Sequence, residues 1–180
     1  SVDAFGRLDI LVNNAAVRRE SPFADLSYAE WREVMATILD AAYLCAHAAL
    51  PHLLASGQGV IINMASWTGR RGVRNHAAYG VSKAGILNLT QSLAEEFGPA
   101  GIRVNAICPG IILDTRMRDE AESLNRSQGL PDVEQRARGI PLRRGGTPGE
   151  VADAVVYLAS DAASYISGEA LNVSGGLWMN

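Results

Sequence analysis

Val60-Ile61-Ile62-Asn63-Met64-Ala65-Ser66 is an apolar run that ends on a hydroxyl. Such a run reads as a buried strand. A hydroxyl at a strand's carboxyl end points into the crevice where open α/β sheets bind ligands. Further along, Tyr79-Gly80-Val81-Ser82-Lys83 offers a partner chemistry. In a helix, Tyr79 and Lys83 stand at i and i+4, on one face and one turn apart. An ammonium close to a phenol favours phenolate, so Tyr79 is expected to exchange a proton near neutral pH, below its free pKa of about 10.

Outward from this centre, apolar runs alternate with helical patterns, the signature of βαβ units and a parallel sheet. Leu8–Asn13 reads as a strand buried on both faces, Val60–Ala65 as the second, Ile102–Ile107 as the third and Ala170–Val173 as a short last one. Ser27 is placed as an N-cap, with Glu30 completing a capping box. A long helix is predicted from Tyr28 to Leu54, ended by Ser56-Gly57. A second is predicted from Ala78 to Phe97, closed by Gly98-Pro99. Thr147-Pro148 caps and begins a helix that runs to Ala159. Between Asp114 and Gly146 the chain turns polar, with no strand pattern and weak helical periodicity. An insertion of that type after a strand's carboxyl end is expected to act as a lid.

A chain of 180 residues suits one domain. A hydrophobic fraction of 48% and a charged fraction of 19% belong to a globular protein, not a disordered one. The net charge of −3 offers no general attraction to nucleic acid or anionic membrane. No apolar run is read as long enough to span a bilayer, and no signal peptide opens the chain. Cys45 and Cys108 are expected to be buried free thiols, as suits a reducing cytoplasm. His47, His52 and His76 lack metal-ligand spacing, so no metal site is expected.

Leu8-Asp9-Ile10-Leu11-Val12-Asn13-Asn14-Ala15-Ala16 precedes the tyrosine motif, and Val104-Asn105-Ala106-Ile107-Cys108-Pro109-Gly110 follows it. With Ser66 and Tyr79-Lys83 in order between them, the chain resembles the short-chain dehydrogenase/reductase family. The resemblance extends through Leu158-Ala159-Ser160-Asp161 to Gly175-Gly176. It implies a partial Rossmann-like, doubly wound parallel sheet, with strands equivalent to the family's fourth to seventh and helices on both faces. No counterpart of the glycine-rich turn that cradles the cofactor's phosphates is found. The expectation is therefore the carboxyl-terminal two-thirds of a dehydrogenase, one incomplete domain with a bared strand edge.

The resemblance implies hydride transfer between NAD or NADP and a small-molecule alcohol or carbonyl. Tyr79 would exchange the proton, Lys83 would lower its pKa and bond the nicotinamide ribose, and Ser66 would hold the substrate oxygen. Asn13, Ala15, Tyr79, Lys83, Pro109, Gly110 and Ile112 would line the cofactor. Thr115 would do so too, although it stands one residue beyond Asp114, where the family often has threonine. A homo-oligomer, dimer or tetramer, is also implied. Ala16 replaces a customary glycine, Ser174 an aspartate, and Ile38 an asparagine that supports a water linking the lysine to solvent.

Arg70, Arg71 and Arg74, with Arg18 and Arg19, are expected to rim the substrate end; solvated surface arginines are the first reading, and an anionic group on the substrate is the alternative. Trp67 is expected to pack under its loop. Three readings stay open: an oxidoreductase seen as part of a longer chain, an inactive dehydrogenase-like binding or scaffold protein, and a structural partner that oligomerises through its long helices.

Overall fold

In the computed structural model, which describes residues 2–127, 129 and 131–179, four strands lie side by side in chain order, all parallel. β1 (Ile10–Asn13) pairs with β2 (Val60–Met64) so that Asn13 sits opposite Asn63. β2 pairs with β3 (Arg103–Pro109), and β3 with β4 (Ala170–Val173), Pro109 opposite Val173. Parallel neighbours cannot be joined by a hairpin, so each connection crosses over through a helix.

Burial explains why β2 reads as unbroken apolar sequence. Ile61 packs with Ala46, Ala49 and Leu53 on one face, while Val60 and Ile62 pack with Leu158 and Ala163 on the other. Ile61, Ile62 and Ile107 are at most 1% exposed. Each such side chain contributes about 1.5–3 kcal/mol of burial. Helices thus cover both faces of the sheet, as expected. The long helix and α4 (Ala77–Phe97) lie on one face, and α7 (Pro148–Ala159) lies on the other.

A short α1 (Val2–Phe5) precedes β1. The long helix starts at the expected cap, where Ser27 Oγ accepts from Glu30 N–H at 3.2 Å and the Glu30 carboxylate accepts from Ser27 N–H at 3.0 Å. It comprises α2 (Tyr28–Met35), a wider π-helical stretch at Ala36–Asp40, and α3 (Ala41–Ser56). Gly57, at φ 72°, supplies the left-handed residue that ends it.

Three sequence expectations need correction here. β1 is not buried on both faces, since Ile10 and Val12 are 45% and 41% exposed. Over Tyr28–Ser56 the helix is long and apolar enough, by length and composition, to cross a membrane. Its stripe Val34, Ile38, Ala42, Ala46, Ala49 and Leu53 is spent instead on the sheet and α4. Cys45 lies off that stripe and is exposed, while Cys108 is buried in β3. The polar stretch after β3 carries two helices, α5 (Arg116–Ser127) and α6 (Val133–Ala137).

Candidate active site

At the carboxyl end of β2 the chain turns sharply through Trp67–Gly69, and Ser66 caps that turn. Its Oγ accepts from Thr68 N–H at 3.2 Å and from Thr68 Oγ1 at 2.9 Å. With two donors on its oxygen, the Ser66 hydroxyl has its own hydrogen left to donate. The turn is pressed onto α4: a Cβ on Gly69 would come within 2.7 Å of the Lys83 carbonyl carbon. No side chain fits there, so glycine sets how closely Ser66 approaches the helix carrying Tyr79 and Lys83.

Tyr79, Ser82 and Lys83 form the buried side of α4. Ser66 acts on the Tyr79 phenol closely enough to lower its pKa, so the two predicted groups are neighbours. Burial nonetheless pushes the phenol above its ordinary pKa, against smaller opposing effects from the Arg18 charge, Ser66 and the Arg118 charge. This corrects the expectation that Lys83 holds the phenol low. The Lys83 ammonium lies 5.6 Å from the ring centroid and donates to the Met64 carbonyl at 2.6 Å. Burial brings Lys83 down to about 8.

Below Lys83 a cavity of about 140 Å³ is lined by Asn13, Asn14, Ala15, Ile38, Met64 and Lys83, among others. Asn13 Nδ2 donates to Asn63 Oδ1 at 2.8 Å, Asn63 Nδ2 to Thr90 Oγ1 at 3.0 Å, and Thr90 Oγ1 to the Ile86 carbonyl at 2.8 Å. This polar thread ties β1, β2 and α4 together beneath the site. Asn63 is fully buried, and only its polarity within an apolar strand marked it in the sequence. Ile38, 3% exposed, sits in the π-helical stretch and gives this wall no hydrogen-bonding side chain.

Pro109-Gly110 ends β3 against the end of β4. Gly110 N–H donates to Val173 O at 2.9 Å, and a Cβ there would lie 2.8 Å from Ser174 Cα. Ile112 bridges to Gly146 through its neighbours' peptides, so its own peptide groups turn the other way, where its carbonyl accepts from Arg118 Nε at 3.4 Å. Thr115 has a structural partner of its own. Its Oγ1 accepts from Arg118 N–H at 3.2 Å and its carbonyl from the N–H of Arg118 and Asp119, so it caps α5.

The arginines sort themselves by contact. Arg19 forks onto Glu33 at the surface. Arg70 donates to the Ala170 carbonyl at 2.5 Å, and Arg71 stacks between Trp67 and Trp178 at 5.9 and 5.7 Å. Trp67 therefore packs within its loop region, as expected. Arg74 is exposed. Of the five predicted rim arginines, Arg18 alone acts on the phenol, and Arg118 of α5 joins it. Arg118 was not singled out in the sequence, where it is one basic residue in a polar stretch. Among the described residues no three His, Cys, Asp or Glu side chains gather as metal ligands.

A profile of the family described as Enoyl-(Acyl carrier protein) reductase matches residues 1–178. The 3-oxoacyl-[acyl-carrier-protein] reductase FabG of Staphylococcus aureus is 38% identical over 178 residues, 99% of this chain and 69% of that protein. The chain belongs to the short-chain dehydrogenase/reductase family. The enzyme of the same name from Vibrio cholerae is also 38% identical, over 98% of this chain and 69% of its own. Among solved structures, the ligand-free aldohexose dehydrogenase of Thermoplasma acidophilum superposes with a TM-score of 0.91 at 33% identity, covering 98% of this chain and 70% of that one. Levodione reductase gives 0.91 at 31% identity, covering 97% and 68%. This short-chain dehydrogenase/reductase is thus an oxidoreductase of a family that uses NAD or NADP. The residues present fit the nicotinamide half of such a cofactor. Lys83 donates only one of its three hydrogens to Met64 and lines a cavity with Asn13 and Ala15.

Proposed function

We propose that this chain interconverts an alcohol and a carbonyl compound, with Tyr79 as acid/base, Ser66 holding the substrate oxygen and Lys83 both positioning the cofactor ribose and charging the site. The close packing of the Ser66 turn against α4, which buries Tyr79 and Lys83 one helical turn apart, carries this reading. When bound, NAD or NADP takes or supplies the hydride. Ser66 donates toward the oxygen on which charge develops, and Tyr79 Oη takes the alcohol's proton or returns it to the carbonyl. The burial that raises the Tyr79 pKa makes the phenol the resting form, suited to giving a proton in the reducing direction. In the oxidising direction the Lys83 ammonium would favour phenolate, together with the positive charge that an oxidised nicotinamide would supply. Asn13, Ala15, Lys83, Pro109, Gly110 and Ile112 are the cofactor-side residues in this reading, while Thr115 serves the cap of α5. Residues 114–146 act as the substrate lid, and a homo-oligomer in the cytoplasm is the proposed setting.

Tyr79→Phe tests the reading. Turnover should fall about 10²–10⁴-fold, the range of a lost general acid/base, with nucleotide binding by fluorescence titration unchanged. Turnover within a factor of a few of wild type sinks it. The apolar wall at Ile38 favours a second reading, a dehydrogenase-like binding protein without catalysis. That reading predicts nucleotide binding and no turnover in wild type, with Ile38→Asn restoring turnover.

A further inference from the structure

We propose that His76 is a positioning residue: its neutral ring holds Arg18, and with it the loop after β1, against the start of α4, and its protonation lets that loop go. The hold on the loop stands on hydrogen-bond geometry, and its bearing on turnover rests on the reading of Tyr79 as acid/base.

His76 is the residue on which α4 begins, three places before Tyr79. Its side chain is 10% exposed, and both ring nitrogens are engaged. Nδ1 lies 2.7 Å from the Arg74 carbonyl, which can only accept, so Nδ1 carries the hydrogen. Nε2 is therefore bare, and it accepts from Arg18 Nη2 at 2.7 Å. The same Nη2 ion-pairs closely with Glu20, whose Oε1 stands 3.7 Å from His76 Nε2. Arg18 Nε is buried without a hydrogen-bond partner, so Nη2 holds the side chain.

The His76 carbonyl in turn accepts from Gly80 N–H at 2.7 Å, in the turn of α4 that carries Tyr79. The loop after β1 and the loop before α4 enclose a cavity of about 610 Å³, lined by Phe23, Val73, Arg74 and Ala77 among others. With that space between them the loops lean on few ties. One is Arg18 to His76, and another is Ser21 N–H to the Asn75 carbonyl at 3.1 Å.

A second ring proton has only Nε2 to sit on. There it points at an N–H of Arg18, so an acceptor becomes a cationic donor facing a cation. The anion beside the ring is Glu20, which Arg18 already occupies, so imidazolium and guanidinium compete for one oxygen. Arg118 of α5 adds a further positive charge. Burial is the chief cause that lowers the His76 pKa from its ordinary 6.5; the Arg74 carbonyl and Glu20 oppose it, and the charges of Arg18 and Arg118 add to it. The folded value lies below the unfolded one. The tie is therefore intact above the unfolded value and is lost as pH falls through the folded one.

Ring-nitrogen NMR and amide hydrogen exchange of the full chain, between about pH 8 and pH 4, test this. At the upper end the wild-type hydrogen should sit on Nδ1. Once His76 is protonated, the amides of residues 18–24 should exchange about three- to tenfold faster relative to their intrinsic rates, as the loss of one hydrogen bond implies. His76→Gln, whose amide oxygen accepts at every pH, should keep the protection and lose its pH dependence, while His76→Ala should lack it throughout. Arg18→Gln should raise the His76 titration midpoint. A hydrogen on Nε2 at the upper end, a ring that stays neutral across the range, or exchange that ignores the titration overturns the proposal without any variant. An acid response that survives in His76→Gln overturns it too. Turnover separates the two readings: in the wild type it should fall over the range in which His76 titrates, and His76→Gln should flatten that fall. If the fall persists in His76→Gln while the exchange response is gone, the positioning role fails and Tyr79 is untouched. Turnover that survives Tyr79→Phe defeats the acid/base role and leaves the hold on the loop standing.

Discussion

Lys83 is 2% exposed, and removing an ammonium from water to that depth costs stability that only function or a new partner returns. Its folded pKa of about 8 lies below the ordinary 10.5. The unfolded state therefore binds the extra proton between those two values. Stability contributed by this group rises as pH climbs through that window, and the penalty is fully present below it. Lys83→Met should remove the rise: denaturant midpoints of the wild type should increase across that range more than those of the variant, while the variant loses turnover. An equal pH response in both proteins would show that the ammonium is better solvated than its surroundings indicate. Ser66 and Tyr79 were legible because hydroxyls at a strand end and in a Y-x-x-x-K pattern carry chemistry on their face. Where the lysine nitrogen goes was not legible, since a four-carbon side chain chooses between a phenol and a carbonyl only after β2 and α4 have docked.

Among the elements, the turn Trp67–Gly69 and helix α4 behave as one piece. Gly69→Ala forces a methyl into the Lys83 backbone, at 2.7 and 2.8 Å from its carbonyl carbon and oxygen. We expect a loss of about 1–3 kcal/mol in chemical denaturation, the range for overpacking, with a larger proportional loss of turnover because Ser66 moves away from Tyr79. A stability loss with undiminished turnover would show that the turn yields without carrying Ser66 along. Strand boundaries were readable to within two residues, because strands buried on both faces leave continuous apolar runs such as Val60–Met64. The π-helical stretch at Ala36–Asp40 had no such mark, since Ala, Thr, Ile, Leu and Asp carry no breaker. Thr115 was read for its hydroxyl, and the helix it caps was the competing claim on that hydroxyl.

For the molecule as a whole, the sheet runs from a well-covered β3 to an outer β1 on which Ile10 and Val12 are 45% and 41% exposed. An outer strand with apolar side chains is a template for pairing. Concentrated solutions of this chain should associate, and Val12→Lys should suppress the association measured by light scattering without lowering the unfolding midpoint by more than about 0.5 kcal/mol, as for surface changes elsewhere. Unchanged scattering would point to the exposed Tyr157 and Tyr165 region instead. The architecture was legible from alternating runs, whereas the influence of Arg18 and Arg118, far apart in the chain, on the Tyr79 phenol was not.

The polar thread from Asn13 through Asn63 to Thr90 gives the sheet a key as well as a support. β1 has only four residues, too few for its apolar pattern alone to specify alignment. Shifted one place along its neighbour, it would present a valine or a second asparagine facing the wrong way. Asn63 would be stranded without its donor, at a cost of about 1–3 kcal/mol. Misaligned docking is thereby penalised before any ligand arrives, and the nascent protein carries its own proofreading step.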